Sequence, residues 1–258
     1  MRIIEGLDNL PPLRNPVVTV GSFDGIHAGH RELLEHVVRM AAQQHGESVV
    51  VTFTPHPRTV LGNRGKSVQL LNTLEEKVYL LAKLGIENLL VLPFTKEFSR
   101  IPAEDFLREY LAGKLGLKAL VVGYNHRFGY RHAGDFSQLE RLQQEFDFSV
   151  CEVSRQKVGH NQVSSSVIRH LIAAGNMAQA ARLLLHPYMA MLRVDETGRV
   201  FAEDPHKLLP PQGDYRVRVE EHGEDGKEGE HILHIGATGS MSLEPSVGSG
   251  EKMTVTFF

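Results

Sequence analysis

Val20-Gly21-Ser22-Phe23-Asp24-Gly25-Ile26-His27-Ala28-Gly29-His30 is the stretch on which the fold of this chain turns. An apolar run, Val17–Val20, precedes it. A helical pattern over residues 30–45 follows, with Leu33, Leu34, Val37, Val38 and Ala41 on one face. A strand therefore runs into a glycine loop that opens a helix. Glycine lets backbone approach a ligand closely and adopts positive φ without strain. A helix N-terminus offers unpaired N–H groups and a positive dipole end, which suit an anion. His27 and His30 add two imidazoles three positions apart. Together these features describe a place for a phosphate chain whose charge grows during reaction. Each part also has a plainer reading, since such glycines are common turn chemistry and a His pair can hold a metal. This pair lacks the i, i+4 spacing and the glutamate of a zinc-protease helix, so no metal ligand is assigned.

Outward from the loop, residues 1–186 alternate short apolar runs with helical patterns. Strands are expected at 17–20, 48–53, 88–94, 118–123 and 148–153. Helices are expected at 30–45, 73–84, 102–115, 137–146, 165–174 and 177–186. Such alternation predicts an α/β domain with a five-stranded parallel sheet and helices on both faces. Ligands of such sheets bind at the carboxyl ends of the strands. From Pro187 the pattern changes to short alternating runs at 191–194, 215–220, 231–235 and 253–258, separated by Gly and Pro turns. Residues 187–258 read as a small antiparallel β domain, with 222–230 as a solvated acidic loop.

Composition narrows the class. Of 258 residues, 41% are hydrophobic and 23% charged, as in an ordinary soluble globular protein. The single cysteine, Cys151, excludes an internal disulfide, fits a cytoplasmic location and reads as buried filler. Residues 1–15 lack a long apolar core and carry Glu5 and Asp8, unlike a secretory signal. No stretch is long enough to span a membrane, so no membrane partner is expected. The net charge of −3 hides an asymmetry. Residues 1–186 hold 21 Lys and Arg against 18 Asp and Glu, and residues 187–258 hold 7 against 13. The mildly positive part suits a small polyanion, and so small an offset equally fits ordinary surface variation. No dense basic patch with interleaved aromatics argues for nucleic acid. Oligomeric state is left open.

Three further loops carry chemistry. Thr54-Pro55-His56-Pro57-Arg58 follows the second strand, and its prolines stiffen the placement of His56 and Arg58. Residues 123–134, from Gly123 through Tyr124, Asn125, His126, Arg127 and Phe128 to Gly134, mix cations, glycines and aromatics, a mixture that can stack a planar ring and hold a phosphate. Val163-Ser164-Ser165-Ser166-Val167-Ile168-Arg169 opens a helix, with hydroxyls at its N-terminus and Arg169 one turn inside. A rigid loop, a surface loop and a helix cap are the respective plain readings.

The string from Gly21 to His30, with its His-x-Gly-His, resembles the signature of bacterial FAD synthetases of the bifunctional riboflavin kinase/FMN adenylyltransferase family. Thr52-Phe53-Thr54-Pro55-His56-Pro57 is similar to the family's Thr-Phe-x-Pro-His-Pro. Residues 123–134 resemble its Gly-x-Asp-Phe-x-Phe-Gly segment, with Asn125 and His126 where Asp and Phe are commonest. Residues 163–169 resemble its Ile-Ser-Ser-Thr-x-Ile-Arg. The likeness covers roughly residues 15–188. Beyond it the family's Gly-Arg-x-Leu-Gly-x-Pro-Thr-Ala-Asn kinase segment is absent, so 187–258 looks like a shortened, degenerate riboflavin kinase domain.

The resemblance implies a Rossmann-like nucleotidyltransferase domain that uses ATP and FMN, with Mg²⁺ accompanying ATP, to make FAD and pyrophosphate. It implies catalytic roles for His27, His30 and Arg169. Gly21, Phe23, Asp24, Gly29, His56, Pro57, Gly123, Asn125, Arg127, Phe128, Ser164, Ser165 and Ser166 would bind the substrates. Two other functions fit the same loops: transfer to a different phosphate acceptor, or flavin and nucleotide binding without turnover.

Overall fold

Continuous β-branched runs build one layer of the chain, because strands buried on both faces need no polar alternation. The computed structural model describes every residue except 9, 63–67, 125–135, 155–156, 159–160, 223–225, 249 and 251. Its contacts divide the chain into two units. One holds Met1–Phe23, Gly29–Val68 and Val78–Gln156, and the other Asp24–Ala28, Gln69–Lys77 and Lys157–Phe258.

The elements of the first part of the chain are β1 (Arg2–Glu5), β2 (Val17–Val20), α1 (Ala28–Gln43), β3 (Ser48–Thr54), α2 (Pro57–Leu61), α3 (Leu74–Lys83), β4 (Asn88–Pro93), α4 (Ala103–Asp105, continued by wider turns over Phe106–Lys114), β5 (Ala119–Gly123), α5 (Phe136–Phe146) and β6 (Ser149–Val153). The six strands form one all-parallel sheet in the order β1-β4-β3-β2-β5-β6. The sheet has one strand more than the five expected. β1 escapes a pattern reading because only Ile4 of its four residues is buried. Val18, Val49, Val51, Leu90, Leu92 and Leu120 pack with Leu107, Leu111, Leu139 and Leu142 of α4 and α5 into one core. Cys151 departs from the filler reading. It is half-buried, and its Sγ lies 3.2 Å from His36 Nε2.

The second unit adds β7 (Lys157–Val158), β8 (Asn161–Gln162), α6 (Ser165–Ala173), α7 (Met177–Leu184), β9 (Met189–Val194), β10 (Val200–Phe201), β11 (Gly213–Glu221), β12 (Glu228–Ile235), β13 (Met241–Glu244) and β14 (Lys252–Phe257). The expected small antiparallel domain is a closed barrel in the order β10-β13-β12-β11-β14-β9. Closure leaves no unpaired sheet edge. Val217, Val219, Leu233, Ile235, Met253, Val255 and Phe257 form the barrel core, with Leu192 and Tyr188. Part of the acidic stretch 222–230, expected as a loop, is strand instead. Residues 228–230 pair with β11, because Glu228 and Glu230 alternate outward to solvent and a strand tolerates them there.

One ion pair in this unit is fully buried. Lys207 Nζ donates to Glu76 Oε2 at 2.6 Å, to the Leu71 carbonyl at 2.7 Å and to the Met189 carbonyl at 2.7 Å, so all three of its protons are used. Removing one partner of such a pair costs about 3–5 kcal/mol, since the other charge is left buried alone.

Candidate active site

Within the first unit, β2 lies between β3 and β5, and all run parallel. Their carboxyl ends therefore place Gly21, the Pro55–Pro57 loop and Gly123 at the same end of the sheet. Gly21 is held by donating its N–H to the Val51 carbonyl at 3.0 Å, and a Cβ there would meet the Phe23 ring at 3.1 Å. Phe23 is buried with φ +44°, and its ring meets the His30 ring edge-on at 5.3 Å. Gly29 and His30 lie half-buried in the first turn of α1. His56 caps α2, which Pro57 begins. His56 Nδ1 accepts from the Arg58 N–H at 3.1 Å, so a neutral ring carries its proton on Nε2. Gly123 ends β5, and among the described residues no atom lies within 4 Å of where its side chain would stand. Asn125, Arg127 and Phe128 lie outside the described residues.

In the second unit Asp24 is a hub. Its Oδ1 accepts from the Asn72 backbone N–H at 3.0 Å, while Asn72 Oδ1 accepts from the Gly25 N–H at 2.9 Å. Its Oδ2 accepts a charge-assisted bond from Arg169 Nη2. Its carbonyl accepts from Ser165 Oγ at 2.8 Å. Arg169 Nε is spent on the Gln69 carbonyl at 2.8 Å, and Arg169 Nη1 is buried with no hydrogen-bond partner among the described residues. Ser164 accepts from the Val167 N–H and caps α6, and Ser166 is exposed. Asp24 and Ser165 thus act on neighbouring protein groups and aim the guanidinium.

The backbone between Asp24 and Ala28 is unusual. Gly25 has φ +95° and Ile26 has φ +40°. Positive φ in a β-branched residue is strained and persists only where surroundings enforce it. Here Asn72 grips both sides of the turn. His27, next along, is buried. Burial lowers its pKa to about 4, partly opposed by a hydrogen bond within its own backbone and by the Asp24 charge. It is therefore a neutral hydrogen-bonding group at pH 7. Lys77 is also buried, which lowers its pKa to about 8 against the restoring field of Asp24.

Asn72, Lys77 and Lys207 belong to this network and are not among the site residues expected from the sequence. A signal for Lys77 existed. Glu76 and Lys77 precede Leu80 and Leu81 by four positions, on the face of α3 that those leucines bury. Charges on an apolar face call for partners. Lys207 carries no such local signal, because its partners are distant in sequence.

The model of the FAD synthetase family matches residues 11–167. The chain belongs to the FAD synthetase family. FAD synthetases of this kind are nucleotidyltransferases, and the Rossmann-like sheet with a trailing β-barrel is their architecture here. The bifunctional riboflavin kinase/FMN adenylyltransferase of Escherichia coli strain K12 is 33% identical over 230 residues, which are 85% of this chain and 73% of that protein. The same-named protein of Listeria monocytogenes is 31% identical over 220 residues, covering 81% of this chain and 69% of that one. A crystal structure described as a macrolide-efflux protein from Streptococcus pneumoniae superposes with a TM-score of 0.82 at 24% identity, over 99% of this chain and 88% of that one. That likeness speaks for the fold alone. Among the described residues no helix is long and apolar enough to cross a membrane.

Proposed function

We propose that this chain is a cytoplasmic FMN adenylyltransferase that makes FAD and pyrophosphate from ATP and FMN, without riboflavin kinase activity. A phosphate oxygen of FMN attacks the α-phosphorus of ATP in line. The new P–O bond forms as the bond to the β-phosphate bridging oxygen breaks, and pyrophosphate leaves with that electron pair. No protein nucleophile is needed, because the FMN phosphate already is one. The chain's residues align the reactants and offset the growing charge. The residues we assign to this work are those named from the sequence, with residues 1–186 as the transferase domain and 187–258 as the kinase-like remnant.

The observation that carries the reading is the Asp24 hub. It orients Arg169 so that Nη1 remains for an acceptor, and it holds His27 one residue before α1. His30, in the first turn, adds a second imidazole to the helix N-terminus. The neutral His27 imidazole can donate to a phosphate oxygen without the desolvation cost of a buried cation. Both Asp24 oxygens are committed to Asn72 and Arg169, so this carboxylate is not a ready Mg²⁺ ligand. Mg²⁺ would enter on the phosphate oxygens of ATP, where it neutralises part of their charge.

The test is to mix purified protein with ATP, Mg²⁺ and FMN and to look for FAD by chromatography. FAD and pyrophosphate in equal amounts are expected. Binding of both substrates with no FAD would make the chain a binding protein instead.

A further inference from the structure

We propose that Lys207 is a positioning residue for the Asp24–Ala28 segment, and that the barrel of residues 187–258 serves adenylyl transfer through it. The assignment of a catalytic consequence rests on the adenylyltransferase reading above. The connection itself is a continuous run of hydrogen bonds. Leu70 donates its N–H to the His206 carbonyl at 2.7 Å, and Leu208 donates back to the Leu70 carbonyl at 2.8 Å. Residues 206–208 therefore lie beside residue 70 like a short parallel strand. Lys207 Nζ then takes the next carbonyl, that of Leu71, at 2.7 Å. The following residue, Asn72, exchanges two hydrogen bonds with Asp24 and Gly25. Leu71 also fills the space beside Gly25, where a Cβ would come within 2.7 Å of its Cδ1.

Lys207 is held as firmly from its own side. Glu76 Oε1 accepts from the Met191 N–H of β9 at 2.8 Å, and Glu76 Oε2 accepts from the Thr73 N–H at 3.0 Å, which orients the carboxylate toward Nζ. The Tyr188 ring lies 4.5 Å from Nζ, and its hydroxyl donates to the Leu208 carbonyl at 2.6 Å. A leucine or methionine would fill this volume at less electrostatic cost. What an apolar residue would not do is fix three acceptors at set angles, one of them the carbonyl next to Asn72. The geometry is that of a strap from the barrel to a strained loop.

Two variants test the strap, Lys207→Met at its origin and Asn72→Ala at its grip on the loop. Amide hydrogen exchange is read over 24–28 and, as a control, over β3. Steady-state FAD synthesis is read alongside. In both variants exchange at 24–28 should rise at least tenfold with β3 unchanged. Turnover should fall by about tenfold to a hundredfold, as for small misplacements of reacting groups, with the KM for ATP changing far less. A folded Lys207→Met protein with wild-type exchange at 24–28 overturns the proposal. So does a Lys207→Met chain that fails to fold together with an Asn72→Ala chain whose loop exchanges as in wild type. If wild-type protein makes no FAD but Lys207→Met still loosens 24–28, the strap stands and the adenylyltransferase reading fails.

Discussion

His30 stands in the first turn of α1, against the edge of the Phe23 ring. Its proposed work is greatest when charge builds on the phosphates, so His30→Ala should lower turnover far more than it weakens ATP binding. Removing one such donor costs about 100-fold or more in turnover. Unchanged turnover in the variant would remove His30 from the reaction. His27 differs in being buried, and its lowered pKa has a sign that can be checked. Above pH 6.5 both folded and unfolded states carry it neutral. As pH falls from 6.5 toward about 4, the unfolded chain gains a proton that the folded one does not, so stability declines. In an NMR titration of the ligand-free protein His27 should remain neutral down to about pH 4, and a midpoint near 6.5 would contradict its burial. Two residues earlier, Gly25→Ala meets a positive φ and the Leu71 side chain at once. It should destabilise the protein by about 2 kcal/mol or more in urea unfolding, and a neutral result would mean that the turn can relax.

At the scale of elements, three barrel strands meet at His234 of β12. Its Nδ1 lies 2.8 Å from Asp214 of β11, and its Nε2 lies 3.4 Å from Glu244 of β13. The hydrogen bond to Asp214 does most to raise its pKa; desolvation opposes it, and the Asp214 charge, the bond to Glu244 and the Glu244 charge add to the rise. A raised base contributes stability that is complete below its unfolded pKa and is lost as pH rises through the folded value. His234→Gln should therefore lower the urea midpoint more at pH 6 than at pH 9, and equal losses at both would show that the carboxylates do not act on the imidazole. These cross-strand partners also show why the barrel was less legible than the sheet. Val17–Val20 and Ser48–Thr54 announce themselves locally, as β-branched runs buried on both faces. β10 has two residues and β13 four, too few for any alternation to stand out. The same contrast holds in the candidate site. Gly21 to His30 and residues 163–169 could be read because a glycine loop or a cap is a local device. Asn72 and Lys207 could not, because each matters through partners tens of residues away.

Across the whole molecule the charge asymmetry has a structural counterpart in how the barrel's cations are used. Lys207 is paired with Glu76, Arg193 with Glu203 at 2.5 Å, and Lys252 with Glu75 and Glu203. A riboflavin kinase site must hold ATP and aim its γ-phosphate at a hydroxyl, which calls for cations or backbone N–H groups open to the phosphates. The turn between β9 and β10 does not offer them. Asp195 Oδ1 accepts from the N–H groups of Thr197 and Arg199 and from the Thr197 hydroxyl, so the turn closes on its own carboxylate, a poor neighbour for a polyphosphate. Residues 187–258 also contain no asparagine and no Pro-Thr pair, the residues expected of the family's kinase segment. Riboflavin with ATP and Mg²⁺ should therefore yield no FMN, while the same protein given FMN yields FAD. Chromatography of both mixtures at equal enzyme concentration separates the two activities. Steady FMN formation from riboflavin would overturn the expectation and place a kinase site in the barrel, and the strap through Lys207 would then be a second task of a working domain.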